Sequence, residues 1–172
     1  MVGQSGAKWV TQPAARPETR PKWGVIEQMF FGRFAHTIDE KARLTIPSKY
    51  RETLDDGLVI TRGIEPCLYV FPLEEWEAIS QKISQLLMTD QDSRAFVRFL
   101  FSEAADCIPD RQGRVVIPGH LREYAGLSSD VVVIGAHNHL EVWDVQAYQQ
   151  VTARMESDSQ ALSQRIAALG IL

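Results

Sequence analysis

The chain has 172 residues, with 18 Lys and Arg against 22 Asp and Glu and a formal charge of −4. An apolar content of 45% suffices for a core, and no run approaches the ~18 consecutive apolar residues of a membrane span, so a bilayer-embedded chain is excluded. Cys67 and Cys107 are the only cysteines; neither has a nearby ligand pattern, which argues against a disulfide scaffold and a structural metal, and with no secretory leader they predict reduced thiols in the cytoplasm.

Residues 1–28 hold Gly, Ser, Gln and three prolines without apolar periodicity, and are slightly basic through Lys8, Arg16, Arg20 and Lys22. Such composition cannot bury enough surface to offset its ordering entropy and predicts a flexible arm. From Phe34 the pattern becomes strand-like: Phe34, His36 and Ile38 alternate before a turn, Leu44 and Ile46 after it. Asp39 opens that turn, its carboxylate suited to accept backbone N–H groups two residues on. Pro47 ends the strand and suits a helical first turn, with Arg51 about one turn further. Asp55-Asp-Gly57 leads into Leu58–Thr61, and Gly63–Pro66 into Cys67–Phe71, a hairpin. After Pro72, the stripe Leu73, Trp76, Ile79, Ile83 and Leu86 predicts an amphipathic helix reaching Met88. Arg94–Ala105 predicts a second helix, apolar enough to be buried between two halves or against another subunit. Val131–Ile134 and Leu140–Trp143 predict a second hairpin with His137-Asn-His139 as a solvated tip. Tyr148, Val151, Met155, Leu162, Ile166 and Leu169 predict a last helix, frayed or broken by the polar run Glu156–Gln160.

The chain repeats itself. A shift of 71 residues lays Asp39 on Asp110, Arg43 on Arg114, Ile46 on Ile117, Pro47 on Pro118, Arg51 on Arg122 and Glu52 on Glu123, six identities in fourteen ungapped positions. With one further residue inserted, Leu68–Trp76 lies on Leu140–Tyr148. The copies differ at one sensitive point: Gly113 stands where a positive φ is expected and Ala42 where its match should be, which predicts turns of different shape.

A D-x-x-x-R turn followed by an apolar strand, Pro and a further Arg resembles the swapped-hairpin module of the AbrB-type DNA-binding proteins. Two such modules in a chain of this length resemble the MraZ family of bacterial transcriptional regulators, with Met29-Phe-Phe-Gly32, Asp110-Arg-Gln-Gly-Arg114 and Leu121–Leu127 as further points of likeness. The likeness runs from Met29 to about Gln150; Ala42, where the family usually has Gly, and residues 1–28 depart from it. It implies an α+β fold, a pseudo-two-fold tandem of AbrB-type swapped β-hairpin modules forming a small β-barrel with peripheral helices. The expected division is an arm over 1–28, a first module over 33–76, connecting helices over 77–108, a second module over 109–152 and a C-terminal helix or tail over 153–172. It also implies a repressor acting on promoter repeats of the cell-division and cell-wall gene cluster, nucleoid-associated and assembled into rings.

Arg43 and Arg114 are the main candidates. An outward Arg at a hairpin tip can pair bidentately with a phosphate or a guanine edge; it can equally be locked to its own Asp39 or Asp110 to hold the turn. The resemblance favours the first reading for Arg43. Lys41 and Arg111 flank the tips and could add phosphate contacts. Asp39, Asp110, Pro47, Pro118, Arg51 and Arg122 read as structural. Local charge supports an anionic partner, since Met29–Glu52 carries five basic residues against three acidic. The sequence holds no glycine-rich phosphate loop, nucleophile elbow or metalloprotease motif, so the expectation is a non-enzyme that needs no cofactor; the resemblance implies double-stranded DNA as its partner. Competing readings are a ring-forming interaction scaffold and an antitoxin-type DNA-binding protein.

Overall fold

The computed structural model describes residues 29–86 and 89–170; the predicted arm, the end of the first long helix at Leu87 and Met88, and the last two residues lie outside them. The elements run β1 (Phe30–Thr37), β2 (Arg43–Thr45), a 3-10 turn (Ser48–Tyr50), α1 (Arg51–Leu54), β3 (Leu58–Arg62), β4 (Leu68–Pro72), α2 (Leu73–Ser84), α3 (Gln91–Phe101), β5 (Ala105–Cys107), β6 (Arg114–Val116), α4 (Gly119–Tyr124), β7 (Asp130–His137), β8 (Leu140–Asp144), α5 (Val145–Ser157) and α6 (Ser159–Ala168). The fold is mixed α+β. Six strands form an antiparallel sheet in the order β1-β7-β8-β4-β3-β5, and β2 pairs with β6 in a separate two-stranded ribbon.

The repeat is written into the pairing. β4 and β8, equivalent strands of the two copies, meet at the centre with Tyr69 opposite Glu141. Each copy then lends its first strand to the other: β1 pairs with β7, and β5 pairs with β3. His36 faces Val131 as Cys107 faces Leu58, the same register in both halves. β2 and β6 close the arrangement, with Leu44 opposite Val115.

Alternation along the strands sorts the side chains. Leu58, Ile60, Leu68, Val70, Val131, Val133, Leu140 and Val142 line one face of the sheet, and the ribbon covers it with Leu44, Ile46, Val115 and Ile117, all nearly or fully buried in one core with Leu54 and Leu121. The opposite face takes the helices. α5 covers Val132 and Trp143, while Trp76 of α2 and Phe101 of α3 stack beyond Phe71. α2 and α5 start at matched places by different means. Pro72 supplies a fixed φ of −57°, and Asp144 accepts from the Gln146 and Ala147 N–H groups.

Three expectations need correction. The helix expected over Arg94–Ala105 ends at Phe101, and Ala105–Cys107 is the strand β5. Pairing with β3 overrides the local apolar pattern there. Nor is that helix buried between the two halves of the chain: only Leu100 is enclosed, and Phe96 is 41% exposed. The turns, expected to differ, have the same shape, because Ala42 adopts φ 60° beside the 72° of Gly113. Finally, the hairpin tip at His137–His139 is not simply solvated. His139 packs against the rings of Tyr69 and Phe71, with centroids 4.6 and 5.0 Å away. The last helix does break within the polar run, at Asp158, giving α5 and α6.

Candidate nucleic-acid interface

The ribbon brings both repeated turns into one assembly. Because Leu44 and Val115 point into the core, the alternating neighbours Arg43, Thr45, Arg114 and Val116 point outward. Arg43 stands opposite Val116 and Arg114 opposite Thr45, so the two arginines are diagonal neighbours on one exposed face. Main-chain bonds from the Ile46 N–H to the Gly113 carbonyl and from the Ile117 N–H to the Ala42 carbonyl, 2.8 and 2.9 Å, extend the ribbon into each turn.

Each turn is organised by its aspartate. Asp39 Oδ1 accepts the N–H groups of Lys41 and Arg43, both at 2.9 Å. Its Oδ2 accepts Arg43 Nε at 2.8 Å and lies 2.7 Å from Nη2. Asp110 does the same. Its Oδ1 takes the N–H groups of Gln112 and Arg114 at 2.9 and 3.0 Å, and its Oδ2 takes Arg114 Nε at 2.8 Å, with Nη2 at 2.6 Å. The hydrogen bond from the arginine side chain, then those from the backbone, hold both carboxyls below the usual carboxylate range, Asp110 at about 2. The Asp39 hydrogen bond in turn raises the Arg43 guanidinium, and Asp110 adds to that from across the ribbon. Each arginine is therefore locked to its own aspartate, as the structural reading has it, and its side chain stays partly exposed, at 27% for Arg43 and 26% for Arg114.

Lys41 and Arg111 are exposed at the two tips, and neither side chain makes an ion pair among the described residues. Pro47 and Pro118 cap the short helices that follow the ribbon, at φ −52° and −55°. Arg51 reaches back to donate from Nε to the Ile46 carbonyl at 3.1 Å. Its side chain lies over the second turn, where a Cβ on Gly113 would stand 2.6 Å from that nitrogen. Arg122, its counterpart, has a buried Nε that meets no acceptor among the described residues. An open groove of about 270 Å³ between Arg51 and Arg111 also carries Glu52, Asp55 and Asp110, so its charge is mixed.

Sequence reasoning missed Thr45 and Val116, which share the outer face with the arginines. Period two counted from Arg43 and Arg114 would have found them. It also missed Tyr50, whose hydroxyl accepts the Phe31 N–H at 2.7 Å and ties the start of β1 to the ribbon side of the core. Elsewhere, no group of three or more His, Cys, Asp and Glu able to hold a metal ion occurs among the described residues. No helix among them is long and apolar enough to cross a membrane.

Comparison with known proteins fits this geometry. A family model described as "MraZ protein, putative antitoxin-like" matches the chain twice in tandem, over residues 29–99 and 100–168. Among curated relatives, the transcriptional regulator MraZ of Acetivibrio thermocellus is 43% identical over 143 residues, 83% of this chain and 100% of that protein. The protein of the same name from Moorella thermoacetica is 44% identical over 138 residues, 80% of this chain and 96% of its own. A third, from Thermomicrobium roseum, is 40% identical over 141 residues, 82% and 99% of the two chains. With two tandem matches that together span the repeat and relatives aligned over nearly their full length, the chain belongs to the MraZ family.

Proposed function

We propose that this chain is a transcriptional regulator that binds double-stranded DNA in a sequence-specific way through the outer face of the β2/β6 ribbon. The observation that carries the reading is that face: two clamped arginines, diagonal on an exposed ribbon, with cations at both tips that make no ion pair among the described residues. A two-stranded ribbon is one of the few elements narrow enough to enter a major groove. The tip cations Lys41 and Arg111 suit phosphate positioning, and the central arginines suit the bases. Its relatives' name, transcriptional regulator, supports the same role. The net charge of −4 does not oppose it, because Asp39 and Asp110 are held in ion pairs on the ribbon and leave Glu40 as the exposed carboxylate of the first tip, beside Lys41.

The resemblance extends the proposal. The architecture is that of paired AbrB-type swapped hairpins, the ribbon bridging the β1 and β5 edges into a small barrel, with modules over 33–76 and 109–152. The target is a set of promoter repeats of the cell-division and cell-wall gene cluster, repressed by a cytoplasmic, nucleoid-associated ring of identical chains. Exposed Ile64, Ile108 and Phe31, at 74%, 77% and 48%, support self-association. An electrophoretic shift with DNA from upstream of the protein's own operon tests the core of this reading. A retarded band that unlabelled random duplex fails to compete away is expected; equal competition by any duplex would reduce the claim to non-specific binding.

A further inference from the structure

We propose that Asp39 and Asp110 are positioning residues that turn Arg43 and Arg114 into readers of guanine in duplex DNA, an inference that rests on the DNA-binding reading above. The argument starts from donor counting. A guanidinium has five N–H donors. In both turns the edge formed by Nε and Nη2 is spent on one carboxylate oxygen, at 2.6 to 2.8 Å. What remains is the end-on edge, with Nη1 and the second Nη2 hydrogen side by side. That edge matches the adjacent O6 and N7 acceptors that guanine, alone among the bases, shows in the major groove.

Charge decides between a base and a phosphate. Phosphate affinity comes from net positive charge and the counterions it displaces. Each Asp–Arg pair is neutral in sum, and its carboxylate would repel a phosphate that approached the same arginine. A base edge carries no net charge, so it meets no such penalty and gains a donor pair already fixed in direction. Lys41 and Arg111, with no carboxylate partner among the described residues, remain for the phosphates. The aspartates hold the fork by a device separate from the turn itself. Oδ1 serves the backbone N–H groups and Oδ2 serves the guanidinium.

That division makes the test clean. Asp39→Asn keeps an oxygen for the backbone and replaces the guanidinium's acceptor with an NH₂ group. Full-length protein selects from a pool of duplexes with a randomised centre, and the enriched duplex then serves as the probe. The wild type should enrich guanine at fixed positions. Asp39→Asn should lose the preference at one of them by roughly 10- to 100-fold, while its affinity for unselected duplex is kept or rises, because the released guanidinium now carries net charge; circular dichroism checks that the fold is kept. On the wild type, 7-deazaguanine at that position, which lacks the N7 acceptor, should cost a similar factor; the variant should not sense it. A guanine preference that persists in both Asp39→Asn and Asp110→Asn, or a wild type indifferent to 7-deazaguanine, overturns the proposal and leaves DNA binding standing. A wild type that binds no duplex at all would instead remove the DNA reading itself. Should Asp39→Asn fail to fold, Asp110→Asn and the 7-deazaguanine probe decide in the same way.

Discussion

Replacing Gly113 by Ala and Ala42 by Gly should have opposite effects on stability, although the two positions are equivalent in the repeat. At Gly113 the backbone has φ +72°, where an L side chain costs about 1–2 kcal/mol. The new methyl would also stand 2.6 Å from Arg51 Nε and 2.7 Å from its Cδ, forcing that flexible side chain off the turn. Its hydrogen bond to the Ile46 carbonyl would go with it, a loss of about 0.5–1.5 kcal/mol. The sum is about 1.5–3.5 kcal/mol, less about 0.4–1 kcal/mol from the stiffer unfolded chain, a net loss of roughly 1–2.5 kcal/mol. Ala42 already bears this strain at φ 60°. Ala42→Gly should therefore relieve about 1–2 kcal/mol against about 0.4–1 kcal/mol of extra freedom in the unfolded chain, a net gain of roughly 0.5–1 kcal/mol. Calorimetry at one fixed protein concentration should show Gly113→Ala melting lower by roughly 2–10 °C, at 2–4 °C per kcal/mol for a chain of this size. Repeating Gly113→Ala on an Arg51→Ala background separates the two costs, since the hydrogen-bond part should vanish there. A Gly113→Ala protein as stable as the wild type, or an Ala42→Gly protein less stable, would refute the reasoning.

Further expectations follow from the same geometry. DNA affinity should fall linearly on a log–log plot against salt at about −0.9 per neutralised phosphate, with Lys41→Ala and Arg111→Ala each reducing the slope by roughly one. Arg43→Ala should weaken specific binding roughly 5- to 150-fold and leave the affinity for random duplex little changed; filter binding at several salt concentrations reads both. Asp110, folded at about 2, lies below its unfolded value, so its contribution to stability is complete above that unfolded value and is lost as pH falls through about 2. Carbonyl NMR of the carboxyl group should show a midpoint near 2, and a midpoint near 3.8 would mean that the clamp is absent. Leu121→Ala, at a fully buried site shared by both halves of the core, should cost about 2–5 kcal/mol in urea denaturation.

How far the sequence discloses this molecule depends on whether a feature is local. The turns were legible because Asp39, Arg43, Asp110 and Arg114 sit within five residues of their partners, and a 71-residue shift superimposes them. The exchange of first strands was suggested by the resemblance alone, because no pattern within β1 says that it pairs with β7 rather than with β3. β5 stayed hidden for a related reason. Its three residues follow a helix closely, and only the register with Leu58–Ile60 makes them a strand. The matching turn shape went against expectation because the fold holds Ala42 in a conformation that its own propensity disfavours, the strain being borne by the Asp39 bonds on either side. His139 looked solvated because its neighbours in space, Tyr69 and Phe71, belong to the other copy. At the site, the identity of the arginines was readable and their direction was not: only the burial of Leu44 and Val115 places Arg43 and Arg114 on a common outer face.

The claim that this face meets DNA is tested most directly by hydrogen exchange with and without a duplex from upstream of the protein's own operon, a measurement indifferent to the size of the assembly. New protection should concentrate in peptides spanning 39–47 and 110–118, with the central β4/β8 seam unchanged. Protection confined to α2, α3 or α5, with both turns exchanging as in the free protein, would contradict the account.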